Sequence, residues 1–260
     1  MSVNRHLLIV SKALAPYRVR FYSEVAKAMK PKGWKVTLLV AMLGAKDHPW
    51  CNLGAGEEGL DIIGLRNPEE SLLQKSINRS ARLIGINDVE IPNIRLIREL
   101  NHLNPEVVWT HEYSPFCLAA AAWASLRDRH CLVSSDLGAH PPPHSCTPLQ
   151  HSLQKLMSFL YEGVIAQTKE ATRRTHPAGA PINFAPHAID TDEYFPREKD
   201  NIADFRFLFA GGIRQEKGIM ELIEAGRLLA REEYQFVVRV VGSGPMSSWL
   251  SAQNHPWLSI

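Results

Sequence analysis

Long apolar runs are missing from this sequence. A bilayer-spanning helix needs about 20 such residues, and no stretch comes near that length. Residues 1–6 are polar and lead into a short apolar run at 7–10, which lacks the extent of a secretory leader. Cysteine is scarce as well. Cys51, Cys117, Cys131 and Cys146 are widely spaced, no Cys-x-x-Cys pair occurs, and the histidines follow no regular metal-ligand offset. A disulfide framework and a zinc module are thereby disfavoured, and the four thiols read as small free core residues. The nearest approach to a ligand cluster, His140 and His144 around a triple proline close to Cys146, reads as a proline-rich loop with incidental histidines. Charge of one sign is also lacking: 29 basic side chains face 27 acidic ones for a net charge of +2, with no dense basic run to supply the field that nucleic-acid binding requires. No internal repeat is visible beyond an alternation of strands and helices.

What remains is an ordinary globular composition, 45% apolar and 22% charged over 260 residues. That length suits one large domain or two smaller ones, and the 17 prolines imply many turns rather than disorder. The expected location is the cytoplasm.

Strands and helices alternate along the chain. Residues 7–10 read as a first buried strand, 18–29 as a helix with Phe21, Val25 and Ala28 on one side, and 35–41 as a second strand. Continuous apolar character in the second strand is the pattern of a parallel sheet buried on both faces, and the βαβ start should cross over right-handedly. A short strand at 60–65 follows a loop. Residues 71–84 have helical periodicity, with Leu72, Leu73, Ile77 and Ile84 on one face and Lys75, Arg79 and Arg82 on another. Such a helix covers a core with its charges in water; contact with the inner face of a membrane is the alternative it leaves open. Helices at 94–103, 114–126 and 169–175 and strands at 106–110, 130–134 and 163–167 continue the alternation. Residues 149–161 come just before the last of these strands. The boundary falls near residue 182, giving domains 1–181 and 182–260. The second domain is expected to hold strands at 182–185, 205–210 and 236–241 and helices at 217–231 and 245–251.

The densest information lies between Ala185 and Pro245. Ala-Pro-His-Ala-Ile-Asp-Thr-Asp-Glu-Tyr-Phe-Pro (185–196) precedes Phe-Leu-Phe-Ala-Gly-Gly-Ile-Arg-Gln-Glu-Lys-Gly (207–218), and Val-Val-Gly-Ser-Gly-Pro (240–245) follows. An apolar strand, a glycine turn with basic residues and a helix make a place for a diphosphate. Glycine lets the backbone approach phosphate oxygens, the helix start presents unpaired N–H groups, and Arg214 and Lys217 add charge. Gly211, Gly212, Gly242 and Gly244 are the glycines of that site.

The three segments, in this order, resemble the second domain of the retaining, nucleotide-sugar-dependent glycosyltransferases of the family 4 or group 1 type. These enzymes carry Asn-Gly-Val-Asp-x-x-x-Phe-x-Pro, then Gly-Arg-Leu-x-x-x-Lys-Gly, then Val-Gly-x-Gly-Pro. The resemblance implies an α/β protein of the GT-B type: two Rossmann-like domains, an acceptor-side domain first and a partial nucleotide-sugar domain second. The implied reaction moves a sugar from a nucleotide diphosphate to an acceptor hydroxyl with retention of configuration. The nucleotide sugar is a substrate, no cofactor or metal is expected, and the acceptor is a carbohydrate, a lipid-linked molecule or another hydroxyl compound of the kind used in envelope or polysaccharide synthesis.

The resemblance also implies roles. Lys217 matches the lysine that neutralises the departing diphosphate. The family's arginine position holds Gly212 here, with Arg214 two residues on. Residues 105–112 match the strand that ends in a histidine contacting the transferred sugar, which makes His111 and Lys217 the catalytic candidates. Arg18, in a Pro-x-x-Arg-like loop, Glu112 and Asp136 are the acceptor-side candidates. Two of them have a structural alternative: Arg18 as a surface arginine paired with Glu112 or Glu24, Asp136 as the cap of the turn before Gly138. His187 and Asp190 are expected to organise the second domain rather than act in chemistry. Family members continue through two further βα units with a paired-glutamate segment. The expectation is therefore a second domain completed by a continuation or a companion chain, and weak transfer or none by the 260 residues alone. A non-catalytic homologue that binds sugar nucleotides or a partner protein is the alternative, and an epimerase of the same two-domain fold is a further one.

Overall fold

The computed structural model describes residues 5–13, 16–42, 59–65, 94–135, 158–169, 171–174, 180–186, 188, 191 and 205–260. The chain divides into two compact units, Met1–Glu193 and Tyr194–Ile260.

In the first unit β1 (Arg5–Ala13) is followed by α1 (Pro16–Met29), β2 (Trp34–Met42) and β3 (Asp61–Gly64). Then come α2 (Ile94–Leu103), β4 (Val107–His111), α3 (Pro115–Leu126) and β5 (His130–Ser135). The unit closes with β6 (Gly163–Ala166), α4 (Ala171–Arg174) and β7 (Ile182–Phe184). All seven strands are parallel, in the order β3-β2-β1-β4-β5-β6-β7.

The apolar run of β1 is explained by burial on two sides. Leu7 and Ile9 pack with Val19, Tyr22 and Ala26 of α1, whereas Leu8 and Val10 pack with Leu96 and Leu100 of α2 and with Phe116, Cys117 and Ala120 of α3. Successive side chains point to opposite faces of a strand, so a sheet with helices on both sides needs apolar residues at every position. The small residues of α3 let it lie close on the sheet. Ala120, Ala121 and Ala124 are fully buried, and Ser114 caps the helix by accepting a hydrogen bond from the Cys117 N–H at 3.2 Å. Of the four cysteines, Cys117 and Cys131 lie among the described residues, where both are buried thiols outside any disulfide. α1 passes into a 3-10 turn at Lys30–Lys32 that ends at Gly33, φ +76°.

One expectation about domains is revised. Residues 182–185 were expected to open the second domain, but β7 pairs in parallel with β6 through Val164 and Ile182, Ile165 and Asn183, and Ala166 and Phe184. It is the seventh strand of the first sheet, and the chain leaves that unit after it. The helix expected at 71–84 lies outside the described residues, and of 149–161 the described part is a 3-10 turn at Ser158–Leu160 followed by the buried Tyr161.

The second unit holds β8 (Phe205–Ala210), a 3-10 turn (Gln215–Lys217), α5 (Ile219–Arg231), β9 (Phe236–Val241), α6 (Ser247–Ser251) and β10 (Leu258–Ser259). Its three parallel strands run in the order β10-β9-β8. Ile219 and Ile223 of α5 and Leu250 of α6 pack on Phe236, Val238 and Val240, one face of β9. Two features were not expected. β10 adds a strand, and Gly226 inside α5 leaves room for the Trp257 indole, whose ring atoms would lie 2.4 Å from a Cβ placed there. Glycine within a helix costs about 1 kcal/mol relative to alanine, which burial of the tryptophan offsets. Among the described residues no helix is long and apolar enough to cross a membrane.

Candidate functional site

The first unit forms a small recess at the carboxyl ends of its strands, lined by apolar and a few polar side chains. In the order β3-β2-β1-β4-β5-β6-β7 the connections run outward in opposite directions from β1 and β4, and such a switch point leaves a crevice where open parallel sheets bind ligands. His111 ends β4 and Arg18 lies in the first turns of the helix after β1. Both line the recess, together with Phe21, Tyr22, Trp109, Ile165, Gln167, Ala185, Pro186 and Ala188.

Alternation along β4 puts Trp109 and His111 on the face that α1 covers. Trp109 meets Phe21 and Tyr22 edge to face, with centroids 6.2 and 5.7 Å apart, and donates its indole N–H to Ser134 Oγ at 2.5 Å. That aromatic packing fixes the base on which the imidazole sits. His111 is 2% exposed. Its Nδ1 lies 3.2 Å from the Tyr22 hydroxyl and its Nε2 3.5 Å from Glu112 Oε1.

Glu112 follows immediately with φ +67°, a left-handed conformation uncommon for a residue bearing a side chain. The turn is anchored because the Glu112 N–H donates to Ser134 O at 2.9 Å. It also brings the carboxylate to Arg18, whose NH2 lies 3.3 Å from the same Oε1. Arg18 is 14% exposed in its side chain and Glu112 44%, so the pair has a sheltered and an open member. Strain of this kind, about 1–3 kcal/mol per residue, collects at functional sites. Arg18, His111 and Glu112 were all legible in the sequence and the structure brings them together; Arg18 takes Glu112 as its partner, one of the two carboxylates considered. Asp136, His187 and Asp190 lie outside the described residues.

Tyr22, Trp109 and Gln167 were not foreseen as site residues. Gln167 follows β6 and lines the recess, and its Oε1 is buried with no hydrogen-bond partner among the described residues. A buried acceptor left unsatisfied costs about 1–3 kcal/mol.

On the other face of the sheet, Tyr113 and Tyr161 meet edge to face with centroids 5.6 Å apart. Burial pushes the Tyr113 hydroxyl up to about 12 and raises Tyr161 as well, so both stay neutral. The Cys131 thiol is likewise raised, chiefly by burial.

In the second unit the glycines serve close approach between two turns. A Cβ on Gly242, φ +151°, would fall 1.9 Å from Gly211 O, and one on Gly244 would fall 2.4 Å from Ile213 O. Hydrogen bonds from Gly211 N to Val241 O at 3.0 Å and from Ile213 N to Ser243 O at 2.9 Å lock the turns together, and Ile213 is buried between them. Lys217 ends the 3-10 turn, and Gly218, φ +76°, separates it from the first residue of α5. Lys217 is exposed and makes no ion pair among the described residues. Arg214 folds over Gly212, its Nε 3.6 Å from where a Cβ would sit, and its NH1 lies 3.8 Å from Glu216 Oε1.

No family model matches the sequence, and no curated protein matches it. Solved structures do match in fold. A UDP-N-acetylglucosamine 2-epimerase from Listeria monocytogenes aligns with 97% of this chain and 68% of its own at 13% identity, with a TM-score of 0.60. The S. aureus MnaA–UDP complex aligns over 98% and 68% at 16% identity, TM-score 0.61. E. coli trehalose-6-phosphate synthase bound with UDP-2-fluoro glucose aligns over 94% and 66% at 14% identity, TM-score 0.59. At such identities the likeness defines the fold class: an α/β chain with the Rossmann-like elements of the GT-B enzymes.

Proposed function

We propose that this chain is a nucleotide-sugar-dependent glycosyltransferase that retains anomeric configuration. The observation that carries the reading is the set formed by Arg18, His111 and Glu112 at the switch point of the first sheet. In the second unit a glycine-locked double turn presents Lys217 just before α5. Solved structures of the same fold hold UDP and UDP-2-fluoro glucose.

In this reading Lys217, with the amides of the α5 start, takes the charge that grows on the departing diphosphate. No metal is needed for that role. Arg214 is a weaker contributor because its guanidinium is directed back over Gly212. His111 stands at the reacting sugar, oriented by Tyr22 and by the Glu112 carboxylate, which Arg18 holds in turn. Imidazole donates and accepts protons near neutral pH, which suits contact with hydroxyls on either partner. The diphosphate leaves from the face the acceptor enters, its oxygen receives the acceptor proton, and configuration is retained through an oxocarbenium-like state.

The test is product analysis with a panel of nucleotide sugars and hydroxyl acceptors. New glycoside of retained configuration, lowered in His111→Ala while nucleoside diphosphate still binds, is the expected result. Loss of nucleotide affinity with normal residual transfer in His111→Ala would contradict the assignment. Likeness to 2-epimerases favours a second reading, in which UDP-N-acetylglucosamine is inverted at C2 and no acceptor is used. Sugar interconversion without glycoside formation would establish it.

A further inference from the structure

We infer that the outer edge of β8 is an interface between two copies of this chain, which pair antiparallel about a two-fold axis through Phe207. The inference is independent of the glycosyltransferase reading and names the companion of the second unit as a second copy.

β8 ends the order β10-β9-β8, with no strand on its other side among the described residues. Just after it, the Gly211 N–H donates to Val241 O of β9. Alternation along the strand therefore turns the N–H and C=O of Arg206 and Leu208 toward the outer side. Such a row of backbone donors and acceptors is a template for another strand. The side chains of β8 have the pattern of an inner strand. Phe205, Phe207 and Phe209 share the face on which Phe207 meets Phe236 with centroids 6.2 Å apart, and Leu208 lies on the opposite face. Phe205 is nevertheless 69% exposed, Phe207 39% and Leu208 68%, so apolar residues on both faces of one edge strand meet water.

The order of residues in Phe-Arg-Phe-Leu-Phe-Ala (205–210) fits a second copy of itself. An axis through Phe207 and perpendicular to the sheet keeps the faces of the two strands aligned. Phe205 then stands opposite the partner's Phe209, the two Phe207 rings meet at the axis, and Arg206 stands opposite the partner's Leu208. Every aromatic ring of that face gains an aromatic ring across the pair, a favourable cross-strand contact. Arg206, the one charged residue of the strand, meets a leucine, and these two residues exchange both backbone hydrogen bonds. Moving the axis to Arg206 sets like charges opposite each other. Moving it to Leu208 leaves Phe205 opposite the partner's Gly211. The strand is thus self-complementary about Phe207, as a two-fold contact requires.

The experiment is sedimentation velocity on the full chain over a range of concentrations, for wild type, Leu208→Lys and Leu208→Glu, and for the same three in an Arg206→Ala background. Leu208 is exposed in the single chain, so circular dichroism should show the wild-type fold in all of them. Wild type is expected to dimerise. Leu208→Lys sets two like-charge pairs across the axis and Leu208→Glu two opposite-charge pairs. The lysine variant should therefore dissociate with a constant about tenfold or more above that of the glutamate variant. Both lose the same leucine, so their difference reports charge alone, and it should vanish with Arg206→Ala. A monomeric wild type, assembly beyond a dimer, equal association of the two variants, or a difference that persists in Arg206→Ala overturns the inference.

Discussion

The Tyr22 hydroxyl lies 3.2 Å from His111 Nδ1, so the middle of α1 orients the imidazole at the end of β4. Both residues are buried, and the Tyr22 ring is held edge to face against Trp109, two residues before His111 on the same strand. The histidine therefore has a fixed orientation before any ligand arrives, the condition for preorganised chemistry.

Tyr22→Phe keeps the ring contacts and removes only the hydroxyl. Stability should fall by about 1 kcal/mol, the usual net worth of such a hydrogen bond. The step that depends on His111 should slow by about tenfold, more than the stability loss explains, because imidazole orientation is lost. Urea unfolding and a transfer assay on the same variant check this, and full activity would show that Tyr22 serves packing alone.

His6 gives the fold a pH dependence. Its Nδ1 faces Leu103 O at 3.2 Å and its Nε2 faces Thr37 Oγ1 at 2.9 Å. The carbonyl can only accept, so Nδ1 carries the proton and Nε2 accepts from the threonine. Burial lowers the His6 pKa below its ordinary 6.5, opposed by the Leu103 carbonyl and assisted by Lys35. The unfolded chain thus takes up the proton first. Stability contributed by neutral His6 is present above pH about 6.5 and declines as pH falls from there toward the folded pKa. Urea midpoints from pH 8 down to pH 5 should show this decline in wild type and a shallower one in His6→Gln. Equal slopes would remove His6 as the cause.

Gly242→Ala should destabilise the second unit by at least about 2 kcal/mol, because the new methyl would meet Gly211 O in a backbone conformation that side chains rarely adopt. Hydrogen exchange followed separately in the two units checks it: protection should drop in residues 205–260 and persist in β1 and β4.

Much of the fold was legible because it is written in local pattern. The run 7–10 reads as a buried strand, and helix 94–103 carries its periodicity in Leu96 and Leu100. The misplaced strand, Ile182–Phe184, shows the limit: its composition says strand, but pairing with Val164 and Ala166 is a long-range choice that local sequence does not encode. The fit of Trp257 against Gly226 is of the same kind. In the site, Arg18, His111 and Glu112 could be found because they stand next to strand ends in recognisable segments. Gln167 carried no such mark, since a lone glutamine gains meaning only from the burial of its oxygen.

The central claim is that Lys217 and the glycine turns hold the diphosphate of a nucleotide sugar, and calorimetric titration with UDP, UDP-glucose and UDP-N-acetylglucosamine tests it most directly. Lys217 is exposed and belongs to a short turn, so Lys217→Ala should leave unfolding unchanged. The account predicts binding of a diphosphate ligand that weakens by about tenfold or more in Lys217→Ala, as expected for loss of one charge-assisted contact, and stays within about twofold of wild type in His111→Ala. Binding of equal strength in wild type and Lys217→Ala, or no binding of any of the three ligands, would contradict it.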